Sequence, residues 1–331
     1  MPSLLSLPQE LRSLIIAQVL FTPRAPPKSP SRANRSNFQD IPYLAWRCFA
    51  YHEHCSTHSP SNCLPLLLTS RQISAETLAI LDLAADKRST EYILDIALLN
   101  EVDLFPTWLC VPQLTQTVST LYVGVRLLGH IISGADARNQ VGDGGHLGFY
   151  WSFYALLERF LAYGPVGEKR VKNAGSGATH DAEVKFRSRW SNPSFTDQNI
   201  TVDTLVLDVS SAETELAFPP PELDEGDWTA QHYSPPYRYE DEEGYVPLER
   251  YKARPEWIAW ILDDEIERLL RMGYDRARFV RILYERVRRI RILVEGELLR
   301  EFRLAEWFDK LRNSSRDDIP AWVREMQLNS D

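Results

Sequence analysis

The chain has 331 residues, a formal net charge of −9 at pH 7 and 44% hydrophobic residues. At roughly 100–200 residues per domain, this length allows one large domain or two small ones. The hydrophobic fraction and the 25% of charged residues are ordinary for a globular protein, so disordered and fibrous classes are excluded. The acidic balance disfavours general binding to nucleic-acid phosphates or to anionic lipid.

Four cysteines are too few for a disulfide scaffold, so a reducing compartment is expected, either cytoplasm or nucleus. The N-terminus does not resemble a signal peptide, because Gln9, Glu10 and Arg12 interrupt its apolar stretch. No window reaches the roughly 18 consecutive apolar residues of a membrane span. We therefore expect an intracellular protein with no membrane partner.

The first predicted element is a helix over residues 6–21, with Ser6 as its N-cap and Pro8 in its first turn. Apolar residues at helical spacing form a stripe along it: Leu7, Leu11, Leu14, Ile15 and Val19. Ile16 and Leu20 lie outside the stripe, so the apolar surface wraps most of the helix and must be buried on two sides. One side fits the protein's own core, and the other fits either a partner or more core.

Residues 22–63 break the helical pattern. Prolines alternate there with arginine and lysine, which is typical of an exposed loop. The spacings Pro23–Pro26 and Pro27–Pro30 also resemble docking sites for modules that read proline-rich segments, although such spacings often arise by chance in loops.

The end of this loop holds the one cluster that resembles a metal site, with Cys48, His52, His54, Cys55, His58 and Cys63. Thiolate and imidazole are zinc ligands, and the candidate ligands are Cys48, His52, Cys55 and Cys63. The cluster lacks a C-x2-C pair. A loop packed beside the next helix is therefore the favoured interpretation, and neither a metal nor another cofactor is predicted.

A second helix is predicted over residues 64–84, with Gln72 and Glu76 on an exposed face. Strands are predicted over residues 92–98, 118–127, 201–209 and 290–294, and further helices over 149–163, 255–273, 275–288 and 305–312. For residues 290–294 a continued helix is the alternative. Long connections between the strands favour parallel or mixed pairing. The expected fold is α+β or α/β, with N-terminal helices joined to a mixed sheet of about four or more strands flanked by helices.

Candidate chemistry elsewhere has simpler explanations. The glycines of residues 142–148, which surround His146, precede a helix but lack the P-loop lysine and the Rossmann spacing, so a flexible connector is favoured. The arginines of residues 276–291 are interleaved with glutamates, which favours a solvated helix face over nucleic-acid binding. No nucleophile elbow, H-E-x-x-H or S-x-x-K pattern is present, so no catalytic residue is predicted.

Two stretches resemble a known family. Residues 5–12, LSLPQELR, followed by Ile15 and Leu20, resemble the start of an F-box. Residues 64–76, LPLLLTSRQISAE, resemble the element that follows it in many fungal F-box-like proteins. Further stretches resemble the same group: EYILD at 91–95, PTWLC at 106–110 and WSFYALLERF at 151–160.

The resemblance implies a non-enzymatic adaptor. Residues 1–84 would form an F-box-like helical region, interrupted by the insertion at 22–63, and would bind the Skp-type adaptor of a cullin–RING ubiquitin ligase. By match to the motif, the contacting side chains would be Leu7, Pro8, Leu11, Ile15 and Leu20. Residues 85–331, with irregular loops at 166–198 and 219–256, would form an α/β domain that recognises an unknown target protein.

Two alternatives stay open at this point. One is a stand-alone interaction or structural domain with a degenerate F-box-like start, and the other is an enzyme of unrecognised class with a cleft near residues 142–148. The adaptor hypothesis predicts exposed apolar side chains on the first helix of the isolated chain. The stand-alone hypothesis predicts the same side chains buried in the core, and the enzyme hypothesis predicts a deep pocket with convergent polar groups.

Overall fold

The computed structural model describes residues 4–28, 38–40, 51–53, 61–86, 90–101, 103–130, 149–165, 197–212, 216–222, 251–271 and 277–313. Within these residues the chain forms seven α-helices and a six-stranded mixed sheet, an α+β fold that confirms the predicted fold class. In the described part of the chain, no helix combines the length and the apolar character needed to cross a membrane.

The helices are α1 (Gln9–Phe21), α2 (Cys63–Leu67), α3 (Arg71–Asp86), α4 (Phe149–Tyr163), α5 (Pro255–Leu270), α6 (Ala277–Arg286) and α7 (Leu304–Arg312). The strands are β1 (Phe38–Asp40), β2 (Tyr51–Glu53), β3 (Glu91–Leu99), β4 (Asp103–Cys110), β5 (Thr117–Leu128), β6 (Thr201–Ser211), β7 (Val287–Val294) and β8 (Glu297–Arg303). Strands β1 and β2 form a separate two-stranded antiparallel sheet.

The large sheet has the strand order β4-β3-β5-β6-β7-β8. Strands β3, β5, β6 and β7 are parallel, and β4 and β8 pair antiparallel at the two edges. The four parallel strands are the four that the sequence predicts, and strand β7 excludes the helical alternative for residues 290–294. The helix expected over 275–288 ends at Arg286, because the chain continues directly into β7.

The sequence pattern predicts neither edge strand, β4 or β8. Pro106 lies inside β4, where it is tolerated because an edge strand pairs on one side only and the missing N–H can face outward. Strand β8 is rich in charge and follows β7 through a two-residue turn, Glu295-Gly296. Both turn residues have positive φ, 50° and 84°, as a type I′ hairpin requires.

Helices α4–α7 pack on one face of the sheet. Alternate residues of β5 and β6, among them Val123, Val125 and Leu207, point into this main core because side chains alternate across a strand. The aromatic helix α4 contributes Phe160, whose ring lies 5.3 Å from that of Trp108 between centroids. The residues predicted as the apolar faces of the sheet and of α4 therefore meet in one core.

The N-terminal helices bury a second, smaller cluster that contains Ile16, Leu20, Cys63, Ile73 and Leu81. The two clusters lie on either side of the predicted boundary after residue 84, although the division into domains at that position stays a prediction.

The two predicted N-terminal helices also differ from the structure. The first begins at Gln9 and not at Ser6, because Leu7 precedes a proline and is disfavoured from helical geometry. Pro8 is the N-cap, with φ −53° and ψ 147° and no side-chain cap. The helix expected over 64–84 is two helices, because Ser70 starts a new one by accepting the Ile73 N–H at 3.2 Å.

Candidate functional site

Helix α1 presents one buried row and one exposed row. The buried row is Arg12, Ile16 and Leu20, which share a face because they are four residues apart. Ile16 and Leu20 have no exposed surface. The exposed row consists of Leu11, Leu14, Ile15 and Val19, which are 48%, 67%, 41% and 48% exposed. We refer to these four residues as the α1 apolar row.

The five contact residues predicted from the motif fall on both sides of the helix. Pro8, Leu11 and Ile15 are exposed, Leu7 is half-buried and Leu20 is buried. Leu20 thus belongs to the packed side, because it lies one turn beyond Ile16 on the face that meets α2 and α3. Leu14 and Val19, which the motif does not include, are more exposed than Ile15.

Exposed apolar side chains are concentrated on the N-terminal helices. Ten of the fifteen large apolar side chains that are exposed among the described residues lie between Leu4 and Leu83. Besides the α1 apolar row they are Leu4 and Leu5, Leu64 and Leu68, and Leu78 and Leu83. Contiguous exposed apolar patches are typical of protein–protein interaction surfaces, and the α1 apolar row supplies four neighbouring side chains of this kind. The adaptor hypothesis predicts exposed apolar side chains on α1 and the stand-alone hypothesis predicts buried ones; the α1 apolar row is partly exposed, and Leu20 is buried.

Arg12 fixes the rotation of α1 about its own axis. Its Nε and Nη2 donate to the two carboxylate oxygens of Glu76 on α3, at 3.0 and 2.6 Å, and its Nη1 donates to the backbone carbonyl of Leu7. Gln72 also donates to Glu76, at 3.1 Å. The hydrogen bonds from Arg12 hold the pKa of Glu76 below its usual value. Glu76 therefore faces α1 and not solvent, and the ion pair keeps the α1 apolar row turned outward.

Asn62 connects the end of α1 to the large sheet. Its side-chain Nδ2 donates to the carbonyl of Leu20 at 2.9 Å, and its backbone N–H donates to the carbonyl of Val111 at 2.7 Å. The N–H of Cys63 donates to the carbonyl of Pro112 at 3.0 Å. The Leu20 carbonyl is one of the last-turn groups that have no partner inside a helix. Asn62 satisfies it and holds α1 at a fixed position beside the end of β4.

The candidate metal ligands are only partly described. Cys48 and Cys55 lie outside the described residues, and His52 lies in β2. Cys63 is buried in the cluster of the N-terminal helices, with its Sγ 3.1 Å from the Ser61 hydroxyl. Within the described ranges, no group of three or more His, Cys, Asp or Glu residues is arranged to hold a metal ion. The glycine-rich residues 142–148 also lie outside the described part.

A groove of about 470 Å³ lies at the amino ends of parallel strands β5, β6 and β7, between α6 and α7. Its polar groups make internal contacts. Arg286 donates to Asp197 at 2.6 and 2.9 Å and to the Leu161 carbonyl at 2.7 Å, and the Tyr284 hydroxyl donates to the Leu270 carbonyl at 2.8 Å. Burial raises the pKa of Tyr284. Ligands of open α/β sheets bind at the carboxyl ends of the strands, whereas this groove lies at the amino ends. The position of the groove therefore differs from that of a typical ligand site in such a sheet.

The N-terminal helices thus combine an exposed apolar row, an ion pair that orients it and an amide that anchors it to the sheet. Comparisons with family models, with curated proteins and with solved structures give no match for this chain.

Proposed function

We propose that the chain is a non-enzymatic, F-box-like adaptor whose N-terminal helices bind the Skp-type adaptor of a cullin–RING ubiquitin ligase. The observation that carries the proposal is the α1 apolar row, which is 41–67% exposed although the other row of the same helix is buried. Burying the exposed half of four such side chains would contribute on the order of 4 kcal/mol before the costs of association. The proposed contact residues are Leu7, Pro8, Leu11, Leu14, Ile15 and Val19.

The proposed mechanism is proximity. One protein binds the ligase through α1 and a target through the sheet, which raises the effective concentration of target lysines near the ubiquitin to be transferred. The anchor at Asn62 supports this function, because it fixes α1 relative to the sheet. The proposed setting is the cytoplasm or nucleus, with protein partners rather than nucleic acid or membrane. The irregular loop at 219–256, which holds the acidic run Glu240–Glu243 and is a candidate target-binding segment, lies largely outside the described residues.

The test is binding of the purified full chain to the Skp-type adaptor of its host, measured by isothermal titration calorimetry. The α1 variant Leu11→Asp/Ile15→Asp places two charges on exposed positions, so it should fold, as judged by circular dichroism, and lose binding. The matched control is Leu298→Asp/Leu299→Asp, which makes the same change at two exposed leucines of β8. Saturable binding that only the α1 variant loses supports the proposal. A folded wild-type chain that does not bind overturns it, as does equal loss in both variants.

A further inference from the structure

We propose that residues 22–28, Thr-Pro-Arg-Ala-Pro-Pro-Lys, are a second binding site, for a protein module that reads proline-rich segments through an aromatic-lined groove. This site does not depend on the ligase function, because it uses neither the α1 apolar row nor its partner.

The sequence of this segment suits a polyproline II helix. That helix has three residues per turn and a rise of about 3.1 Å, which puts Pro23 and Pro26 on one edge, roughly 9 Å apart. Sterics restrict each residue before a proline to extended or polyproline II geometry, and this applies to Thr22, Ala25 and Pro26. Thr22 has φ −82° and ψ 123°, within that region.

The structure displays the segment to solvent. Residues 22–27 belong to no helix or strand, and every residue from 22 to 28 is exposed. Proline side chains that pack a loop against the domain would be buried or half-buried, and none of these prolines is. The exposed edges are therefore available to aromatic rings of a partner.

Beyond its junction with α1, where the Thr22 N–H donates to the Gln18 carbonyl at 3.0 Å, two hydrogen bonds hold the backbone of the segment in place. The Arg24 N–H donates to the carbonyl of Leu109 in β4 at 2.9 Å, and Arg126 Nη2 donates to the carbonyl of Pro27 at 2.9 Å. Arg126 is itself positioned by Asp95, to which the same nitrogen donates at 2.8 Å. The segment is thus fixed at two points while its side chains face outward, and a fixed segment loses less conformational entropy on binding than a free peptide.

The charges define the partner further. Arg24 and Lys28 are the charged residues of the segment, and both are exposed. An acidic rim beside the aromatic groove would complement them and would accelerate encounter. The inferred partner is therefore a module of SH3 or WW type whose aromatic groove is bordered by Asp or Glu.

The test uses the full chain and a panel of purified SH3 and WW domains, followed by calorimetry with the tightest binder. Pro23→Ala/Pro26→Ala should weaken binding by about tenfold or more, because it removes both anchors of one edge. The matched control Pro220→Ala/Pro221→Ala changes two prolines of another described loop and should leave affinity unchanged. A synthetic peptide of residues 21–29 should bind more weakly than the intact chain.

Two results would overturn the inference: no member of the panel binds the intact chain, or the Pro23/Pro26 variant binds as tightly as the wild type. A peptide as tight as the intact chain would refute the role of the two backbone hydrogen bonds. The Leu11→Asp/Ile15→Asp variant should bind the module normally. Failure of the ligase proposal and failure of this one are therefore distinguishable.

Discussion

Ile16 and Leu14 are two residues apart on α1 and lie in opposite environments, so truncating each tests the division of the helix into two rows. Ile16→Ala removes three carbon atoms from a side chain with no exposed surface. At about 0.8 kcal/mol per buried methylene the transfer loss is about 2.4 kcal/mol, and the remaining cavity brings the total to roughly 3–4 kcal/mol. Leu14 is 67% exposed, so Leu14→Ala should change the stability by less than about 0.5 kcal/mol.

Hydrogen exchange measured by mass spectrometry on peptides that cover α1 is the appropriate assay, because α1 packs into a cluster separate from the main core and exchange reports stability region by region. A loss of about 3 kcal/mol should accelerate exchange of α1 amides roughly hundredfold in Ile16→Ala. Exchange in Leu14→Ala should match the wild type. Equal acceleration in both variants would show that the two rows are wrongly assigned, and the proposed docking surface would then lose its basis.

Three further perturbations test other contacts. Arg12 lowers the pKa of Glu76, so the ion pair stabilises the folded protein fully above the unfolded pKa of about 4.3, and this stabilisation is lost as pH falls through the lower folded pKa. Between pH 7 and 3 the Tm should therefore fall further in the wild type than in Glu76→Gln. Equal falls in Tm would contradict the ion pair. Burial raises the pKa of Cys110 to about 11, so mapping of iodoacetamide adducts at pH 8 should find this thiol labelled only after unfolding. Gly296→Ala, at φ 84°, should cost about 1 kcal/mol in urea unfolding, whereas Gly124→Ala, whose new Cβ meets its nearest atom at 3.8 Å, should be neutral or slightly stabilising.

The central strands and α4 could be predicted because buried elements show a regular local spacing of apolar residues. Strand β6 carries Val202, Leu205, Leu207 and Val209, since a strand covered by helices needs an apolar side chain at every inward position. Helix α4 runs over residues 149–163, as its aromatic composition and the following Gly-Pro predict.

The edge strands could not be predicted, because an edge position relaxes the local rules. A proline inside an apolar run argues against a central strand. Only the strand order shows that Pro106 lies in an edge strand, where its missing N–H need not face a neighbouring strand. The charged residues of β8, taken alone, predict a solvent-exposed segment. In the structure, however, Arg300 of β8 donates a hydrogen bond to Asp263 of helix α5 at 2.8 Å. Both features depend on neighbours that are distant in sequence.

The orientation of α1 depends on similarly distant contacts. Its apolar surface wraps most of the helix, so the pattern alone cannot say which side is packed. Arg12 can lie in the buried row only because Glu76, 64 residues further along the chain, accepts hydrogen bonds from its guanidinium group. From the sequence alone, a charged residue is assigned to the solvent side of a helix. Leu20 lies on the same face as Arg12, so it would be assigned to the exposed contact surface as well.

Both proposed binding surfaces are attached to the end of β4 and the residue that follows it. Arg24, at the start of the proline segment, donates to the carbonyl of Leu109, and Asn62, which anchors α1, donates to the carbonyl of Val111. The Asn62 amide also lies 3.5 Å from the Cys110 sulfur. The N-terminal region therefore occupies backbone groups that an edge strand would otherwise offer to a second chain. The same contacts give each surface a fixed orientation relative to the sheet. In the proposed adaptor, effective concentration depends on that orientation, because a loosely attached α1 would let a bound ligase occupy many positions around a target.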